Sequence, residues 1–401
     1  VGPLVTTKLH VPRRRRGLVG RARLTARLAA GAEAALTVVS APAGFGKTTL
    51  VTEWLADGAP AAWLSLDRRD DDPVVFWSYV VAALRTVAPD VGAAALALLE
   101  SRAPADAVLA TLVNDLAALP GEVVLVLDDY HVVDSPEVQE GMAFLVEHLP
   151  AQVHLVIATR ADPALPLARL RSRGDLVEIR AADLRFTRPE ASAYLNDVRG
   201  LALSAQDVSA LDGRTEGWIA ALQLAALSLQ HHDDASGFID GFAGDDRYII
   251  DYLVEEVLHR QPDRVRTFLL QTSVLTRMTA ALCDAVTGRD DGRAMLDVLE
   301  RNSLFLVPLD HRRRWYRYHH LFADVLQAHL RDEQAAAVPE LHRRACDWYE
   351  RTGDRDDAVD HALAGGHVTR AADLVEQALP ALQRGRREST MRRWLEALPD
   401  E

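Results

Sequence analysis

Gly44, Gly46, Lys47 and Thr48 have the order and spacing of a phosphate cradle, set in the run Ala41-Pro42-Ala43-Gly44-Phe45-Gly46-Lys47-Thr48-Thr49. Glycines let the backbone turn tightly enough to aim successive N–H groups at phosphate oxygens. The Lys47 ammonium can reach β- and γ-phosphates, and the Thr48 hydroxyl can ligate Mg2+. The general motif places glycine five positions before Gly46, where this chain has Ala41. The context is nonetheless the required one. A β-branched run, Leu36–Ser40, precedes the glycines, and an apolar-periodic stretch (Leu50, Val51, Trp54, Leu55) follows them. Lys47 is expected to sit on a loop open to solvent until a ligand arrives.

Two further groups suit the same chemistry. The apolar run Val123–Leu127 ends in Asp128 and Asp129. Asp128 can hold Mg2+ through water opposite Thr48, and Asp129 can orient or deprotonate an attacking water. Acids at strand ends also cap helices, so it is the pairing with the cradle that makes these two a site. A later run, Ile157-Ala158-Thr159, ends in Arg160, whose guanidinium can pair with phosphate oxygens and register whether a γ-phosphate is present.

These residues need a scaffold, and the pattern around them supplies one. To about Pro189, short apolar runs alternate with amphipathic stretches, which predicts a mainly parallel sheet with helices on both faces. Strands are expected at Leu36–Ser40, Ala62–Leu66, Val123–Leu127, Val153–Thr159 and Leu176–Ile179. Helices are expected at Thr48–Leu55, Pro73–Thr86, Pro104–Ala118 and Pro136–His148, with Asp72-Pro73 and Ser135-Pro136 as start signals. Pro189–Val198, Ser204–Arg214 and Glu216–Gln230 read as a small helical lid. After a polar break over 231–237, helices at Asp246–Arg260, Asp263–Thr272, Thr279–Val286 and Gly292–Arg301 lead to the runs Leu304–Leu309 and Arg314–His319. These two runs read as a hairpin, and helices followed by a hairpin suggest a winged helix. The remainder is helical pattern: Pro339–Thr352, Asp356–Ala364, Val368–Ala378 and Glu388–Leu398. Small residues recur in it (Ala345, Ala358, Ala362, Ala371) as in tetratricopeptide-like pairs. Barely two repeats fit where about three are needed, so the chain is expected to stop inside a longer array.

The 401 residues are 49% hydrophobic and 26% charged, enough for several domains with real cores. The formal charge of −13 argues against a nucleic-acid-gripping surface on this chain. The short basic runs Arg13–Arg16 and His311–Arg314 read as solvated turns. No run reaches the ~20 apolar residues of a membrane span. The start, Val1-Gly2-Pro3-Leu4, lacks secretory character, and Cys283 and Cys346 alone make no disulfide framework. A cytoplasmic location is expected.

Several segments together resemble the MalT-type regulators, large ATP-binding LuxR-type activators of the STAND class of signal-transduction ATPases. They are Thr7-Lys8-Leu9, Leu18-Val19-Gly20-Arg21, the Ala41–Thr49 loop, Trp63–Asp67, Leu127–His131, Ala158-Thr159-Arg160, Gly217-Trp218 with Leu222–Leu229, and Tyr316–Phe322. Their order is kept over nearly the whole chain, and the family also begins its loop with alanine-proline. The resemblance implies a P-loop ATPase core (1–189), a helical lid (190–240), a winged-helix domain (241–333) and the start of a TPR-like superhelix (334–401). It implies ATP/ADP and Mg2+ as cofactors, and an ADP-held resting state. An inducer plus ATP would open it for self-association, and weak hydrolysis would reset it. It assigns Val19, Gly20 and Arg21 to the adenine. Gly44, Phe45, Gly46, Lys47, Thr48 and Thr49 take the phosphates, Thr48 and Asp128 the metal, and Arg160 the phosphate-sensing role. His319 becomes the winged-helix contact to the ADP β-phosphate. DNA binding would reside in a C-terminal helix-turn-helix that this chain lacks. Two other readings stay open: the same sensor joined to another output such as a protein kinase, and a working remodelling ATPase.

Overall fold

A computed structural model describes residues 4–13, 17–31, 33–56, 60–101, 103–230, 237–239, 247–302, 304–310, 312–384 and 388–398. The polar break at 231–236, Arg14–Arg16, Asp246, His311, the first three residues and the end from Pro399 lie outside the described residues. The chain forms two compact units, Val1–Ser236 and Gly237–Glu401.

In the first unit, β1 (Leu36–Ser40), β2 (Ala61–Ser65), β3 (Val123–Asp128), β4 (Val153–Thr159) and β5 (Leu176–Arg180) make one sheet in the order β2-β3-β4-β1-β5. All four pairings are parallel. Every residue of β1, β3 and β4 is buried. Strands covered on both faces read as continuous apolar runs rather than alternating ones, and these runs are of that kind. The helices of this part are α1 (Ala22–Ala30), α2 (Lys47–Leu55), α3 (Pro73–Arg85), α4 (Ala93–Glu100), α5 (Ala105–Ala117) and α6 (Pro136–Glu147). Leu36, Val38, Leu64, Leu125, Leu127, Leu155 and Ile157 share one core with Phe76 and Trp77 of α3, Leu109 and Leu112 of α5 and Met142 of α6. The intervening Val39, Val126 and Val156 are equally closed off.

The helix starts follow their signals. The Asp72 carboxylate accepts from the Val74 and Val75 N–H groups at 2.9 and 3.1 Å, and the Ser135 hydroxyl accepts from Val138 N–H. Ahead of the sheet, the single turn Thr6–Leu9 is pinned by Lys8. Its ammonium lies 2.7 Å from buried Asp70 and 2.9 Å from Asp67, over the Tyr79 ring.

Register sets the site. Ser40 pairs with Thr159 and Leu127 with Ile157, so the ends of β1, β4 and β3 lie side by side. The glycine loop, Arg160 and Asp128 therefore leave the same edge of the sheet, the edge at which open α/β sheets bind ligands.

Between β4 and β5 lies α7 (Leu167–Arg173), and beyond β5 come α8 (Ala181–Leu184), α9 (Arg188–Ser192) with a wide turn at Ala193–Val198, α10 (Ala205–Thr215) and α11 (Ile219–Leu229). The helix expected from Glu216 begins only at Ile219. Glu216 and Gly217 have φ of 50° and 69°, and left-handed residues cannot continue a right-handed helix. The short helix α4 was not expected.

The second unit holds α12 (Arg247–Leu253), α13 (Asp263–Thr272), α14 (Ala280–Thr287) and α15 (Gly292–Arg301). An antiparallel hairpin follows, β6 (Leu306–Pro308) with β7 (Tyr316–Tyr318), and Met278 bridges Tyr316 from outside it. Next comes α16 (His320–Gln334), a helix absent from the sequence reading, then α17 (Val338–Thr352), α18 (Arg355–Ala364), α19 (Val368–Arg384) and α20 (Glu388–Ala397). Ala345, Ala358, Ala362 and Ala371 are fully enclosed, which lets α17, α18 and α19 approach closely. Among the described residues no helix is long and apolar enough to cross a membrane.

Candidate functional site

Gly44 and Gly46 adopt φ of 75° and 79°. A Cβ added at Gly46 would meet nothing nearer than Ile219 at 3.9 Å, so the left-handed turn, not space, demands glycine there. Gly46 caps α2, whose first N–H groups, those of Lys47, Thr48 and Thr49, have no partners within the helix and make its N-terminus attractive to anions. Phe45 is 3% exposed.

Lys47 corrects the sequence expectation. It is 7% exposed, not solvent-facing, and its ammonium donates to the carbonyls of Ala41 and Pro42 at 2.9 and 3.0 Å. These two backbone carbonyls supply the acceptors a buried cation requires. Burial pushes the Lys47 pKa down to about 8; the Arg160 charge adds to this, and Asp129 and Asp128 oppose it.

Thr48 and Asp128 meet directly. The hydroxyl lies 3.0 Å from both carboxylate oxygens. Burial first, then the neighbouring Asp129 charge, push the Asp128 pKa up to about 6 against the Thr48 hydrogen bond and Lys47. A hydroxyl and a carboxylate already this close are two oxygen donors of the kind Mg2+ takes. Among the described residues no cluster of three or more His, Cys, Asp or Glu that could hold a metal ion gathers, at this site or elsewhere. Asp129 has φ of 59°, its side chain is 47% exposed, and it lies 3.7 Å from His131 Nδ1. Arg160 follows β4 directly and is half-buried.

Arg21 is committed to protein partners. Its guanidinium donates to the Leu184 and Arg185 carbonyls at 2.8 and 2.9 Å and stacks over the Phe186 ring at 4.6 Å. Val19 is half-buried and Gly20 exposed. His319 belongs to the second unit. It caps α16, is 1% exposed, donates its N–H to Phe305 O at 2.8 Å, and presents its ring edge-on to Phe305 at 5.9 Å.

The sequence reading gave Gly217-Trp218 no role, yet these residues touch the glycine loop. Trp218 is fully buried and donates its indole N–H to Ala43 O at 3.2 Å; its ring stacks on Phe45 at 6.4 Å. Ala220 N–H donates to Gly44 O at 3.2 Å. The signal was the place of Gly217-Trp218, with Leu222–Leu229, among the segments of the family resemblance.

Residues 254–338 match the MalT winged helix domain family. The chain is 39% identical over 389 residues to the serine/threonine-protein kinase PknK of Mycobacterium tuberculosis, covering 95% of this chain and 35% of that protein. It is 36% identical over 376 residues to the HTH-type transcriptional regulator MalT of Klebsiella pneumoniae, covering 93% of this chain and 42% of that one. The chain thus spans less than half the length of these relatives. Among solved structures, the Walker-type ATPase PABY2304 of Pyrococcus abyssi superposes with a TM-score of 0.56 at 15% identity, over 78% of this chain and 97% of that one. This likeness speaks for the fold alone.

Proposed function

We propose, from the membership of this chain in the MalT-type family of STAND-class P-loop modules, that it is an adenine-nucleotide-dependent regulatory switch. One observation carries the reading: the Thr48 hydroxyl and Asp128 carboxylate, 3.0 Å apart, sit beside a glycine loop folded around Lys47. Thr48 and Asp128 would hold Mg2+, whose charge would offset that of the phosphates. Lys47 would leave the Ala41 and Pro42 carbonyls for the phosphates, Arg160 would sense the γ-phosphate, and Asp129 would orient the water for slow hydrolysis. The division into core (1–189), lid (190–240), winged helix (241–333) and superhelix start (334–401) belongs to this proposal. So do His319 as the residue that favours ADP, an inducer at the helical repeats, ATP-driven self-association and a cytoplasmic location.

The 39% identity to a kinase that the chain covers only in part favours a second reading of the output, in which the same switch governs a kinase rather than a DNA-binding domain.

The direct test is chemical. Protein purified without added nucleotide is heat-denatured and the supernatant analysed for adenine nucleotides, with Lys47→Met as control. ADP in the wild type and none in the variant is the expected result. No nucleotide in either, with no thermal shift on adding Mg-ADP or Mg-ATP, overturns the reading.

A further inference from the structure

We infer that Trp218 is a positioning residue for the phosphate loop, by which the segment opening α11 sets the direction of the loop's N–H groups. The inference rests on the nucleotide reading above and adds to it how the loop is held.

The argument is one of peptide geometry. A trans peptide is planar, with its C=O and N–H pointing to opposite sides. The indole N–H of Trp218 holds the Ala43 carbonyl at 3.2 Å, so the N–H of Gly44, in the same peptide plane, is turned away from Trp218. Ala220 N–H holds the Gly44 carbonyl at 3.2 Å, which turns the Phe45 N–H away in the same manner. Two consecutive donors are thereby committed to one side of the loop, as an anion cradle requires. Ala220 stands in the first turn of α11, where N–H groups have no partner in the helix, so nothing competes for this bond.

Trp218 is itself fixed from behind. Gly217 has φ of 69°, and a Cβ there would fall 2.5 Å from the Phe186 carbonyl oxygen, so no other residue fits. Phe186 N–H donates to Gly217 O at 2.8 Å, and Arg21 lies over the Phe186 ring. A continuous set of contacts therefore runs from Arg21 through Phe186 and Gly217 to Trp218 and the loop.

Trp218→Phe keeps an aromatic ring against Phe45 but removes the N–H together with part of the buried indole volume. Losing one buried hydrogen bond of this kind should weaken ADP and inorganic pyrophosphate by about five- to tenfold. The melting temperature should fall, through the cavity and the unmet Ala43 carbonyl, while adenosine affinity measured well below the melting temperature should stay near wild type. Ala220→Pro removes the other donor at a helix position where this chain already tolerates proline, as at Pro189 and Pro339, and should act in the same direction. Titration calorimetry of the whole chain with ADP, pyrophosphate and adenosine decides. Equal losses for ADP and adenosine, or unchanged ADP affinity in both variants, would reduce Trp218 to a packing residue and overturn the inference while leaving the site assignment standing. A wild type that binds neither ADP nor pyrophosphate would overturn both.

Discussion

The role proposed for Asp128 comes at a cost to its own fold. Its carboxyl titrates near 3.8 in an unfolded chain and near 6 here. Between those values the native state holds the extra proton, so this group's contribution to stability falls as pH rises from 3.8 to 6 and stays lowest above 6. Asp128→Asn removes that cost, at most about 3 kcal/mol, and can still accept from Thr48. The nucleotide-free variant should melt higher than wild type at pH 7.5, with the gain vanishing toward pH 4, and should lose the Mg2+-dependent part of ATP affinity. Thermal melts at the two pH values, with ATP titrations with and without Mg2+, check it. Asp129→Asn should behave differently. Asparagine accepts a left-handed φ readily, so the fold and ATP binding should hold while phosphate release slows by roughly 10²–10⁴-fold. Wild-type turnover in that variant would move the catalytic role elsewhere. The pairing of Thr48 with Asp128 was legible because residue types and order announce it. The burial of Lys47 was not, since its acceptors are backbone carbonyls whose direction depends on the turn rather than on side-chain identity.

Elements were legible where burial is complete. β1 and β4 were placed to the residue because a short apolar run rich in β-branched residues, fully buried between helices, has few alternatives. The ends of α3, α5 and α6 shifted by one residue, since caps fray. α4 escaped because its alanine- and leucine-rich sequence carries no polar face, and α11 was started too early because two left-handed residues leave no hydrophobic signature. The N-terminal turn at Thr6–Leu9 is likewise tied by chemistry that spacing does not reveal. Asp70 is fully enclosed and accepts from Lys8 through both oxygens at 2.7 Å. Lys8→Met keeps the stem against Tyr79 but strands a buried carboxylate, which should cost about 3–5 kcal/mol. Chemical denaturation measures it, and Lys8→Met with Asp70→Asn together should recover part of the loss. No recovery would show that the pair is incidental to the docking of the turn.

For the molecule entire, Lys47, Thr48, Asp128, Asp129 and Arg160 all fall within Val1–Ser236. A fragment of those residues should bind Mg-ADP and Mg-ATP within about threefold of each other. A switch requires that something outside the site distinguish the two nucleotides, because a ligand shifts an equilibrium only through differential contacts. The whole chain should therefore prefer ADP, and His319→Ala should erode that preference. Equal ADP-to-ATP ratios for the fragment, the whole chain and the variant would leave the second unit without a part in nucleotide choice. The strand order also governs how the protein comes into being. A ribosome releases the glycine loop early, yet β1 pairs only with β4 and β5, so its edges stay open until Arg180 has been made. The nascent chain cannot present a finished cradle before then, and these distant pairings are the slow kind. Nucleotide should therefore bind only after β4 and β5 have paired with β1, so Mg-ADP binding should return no earlier than sheet structure when the unfolded chain is refolded.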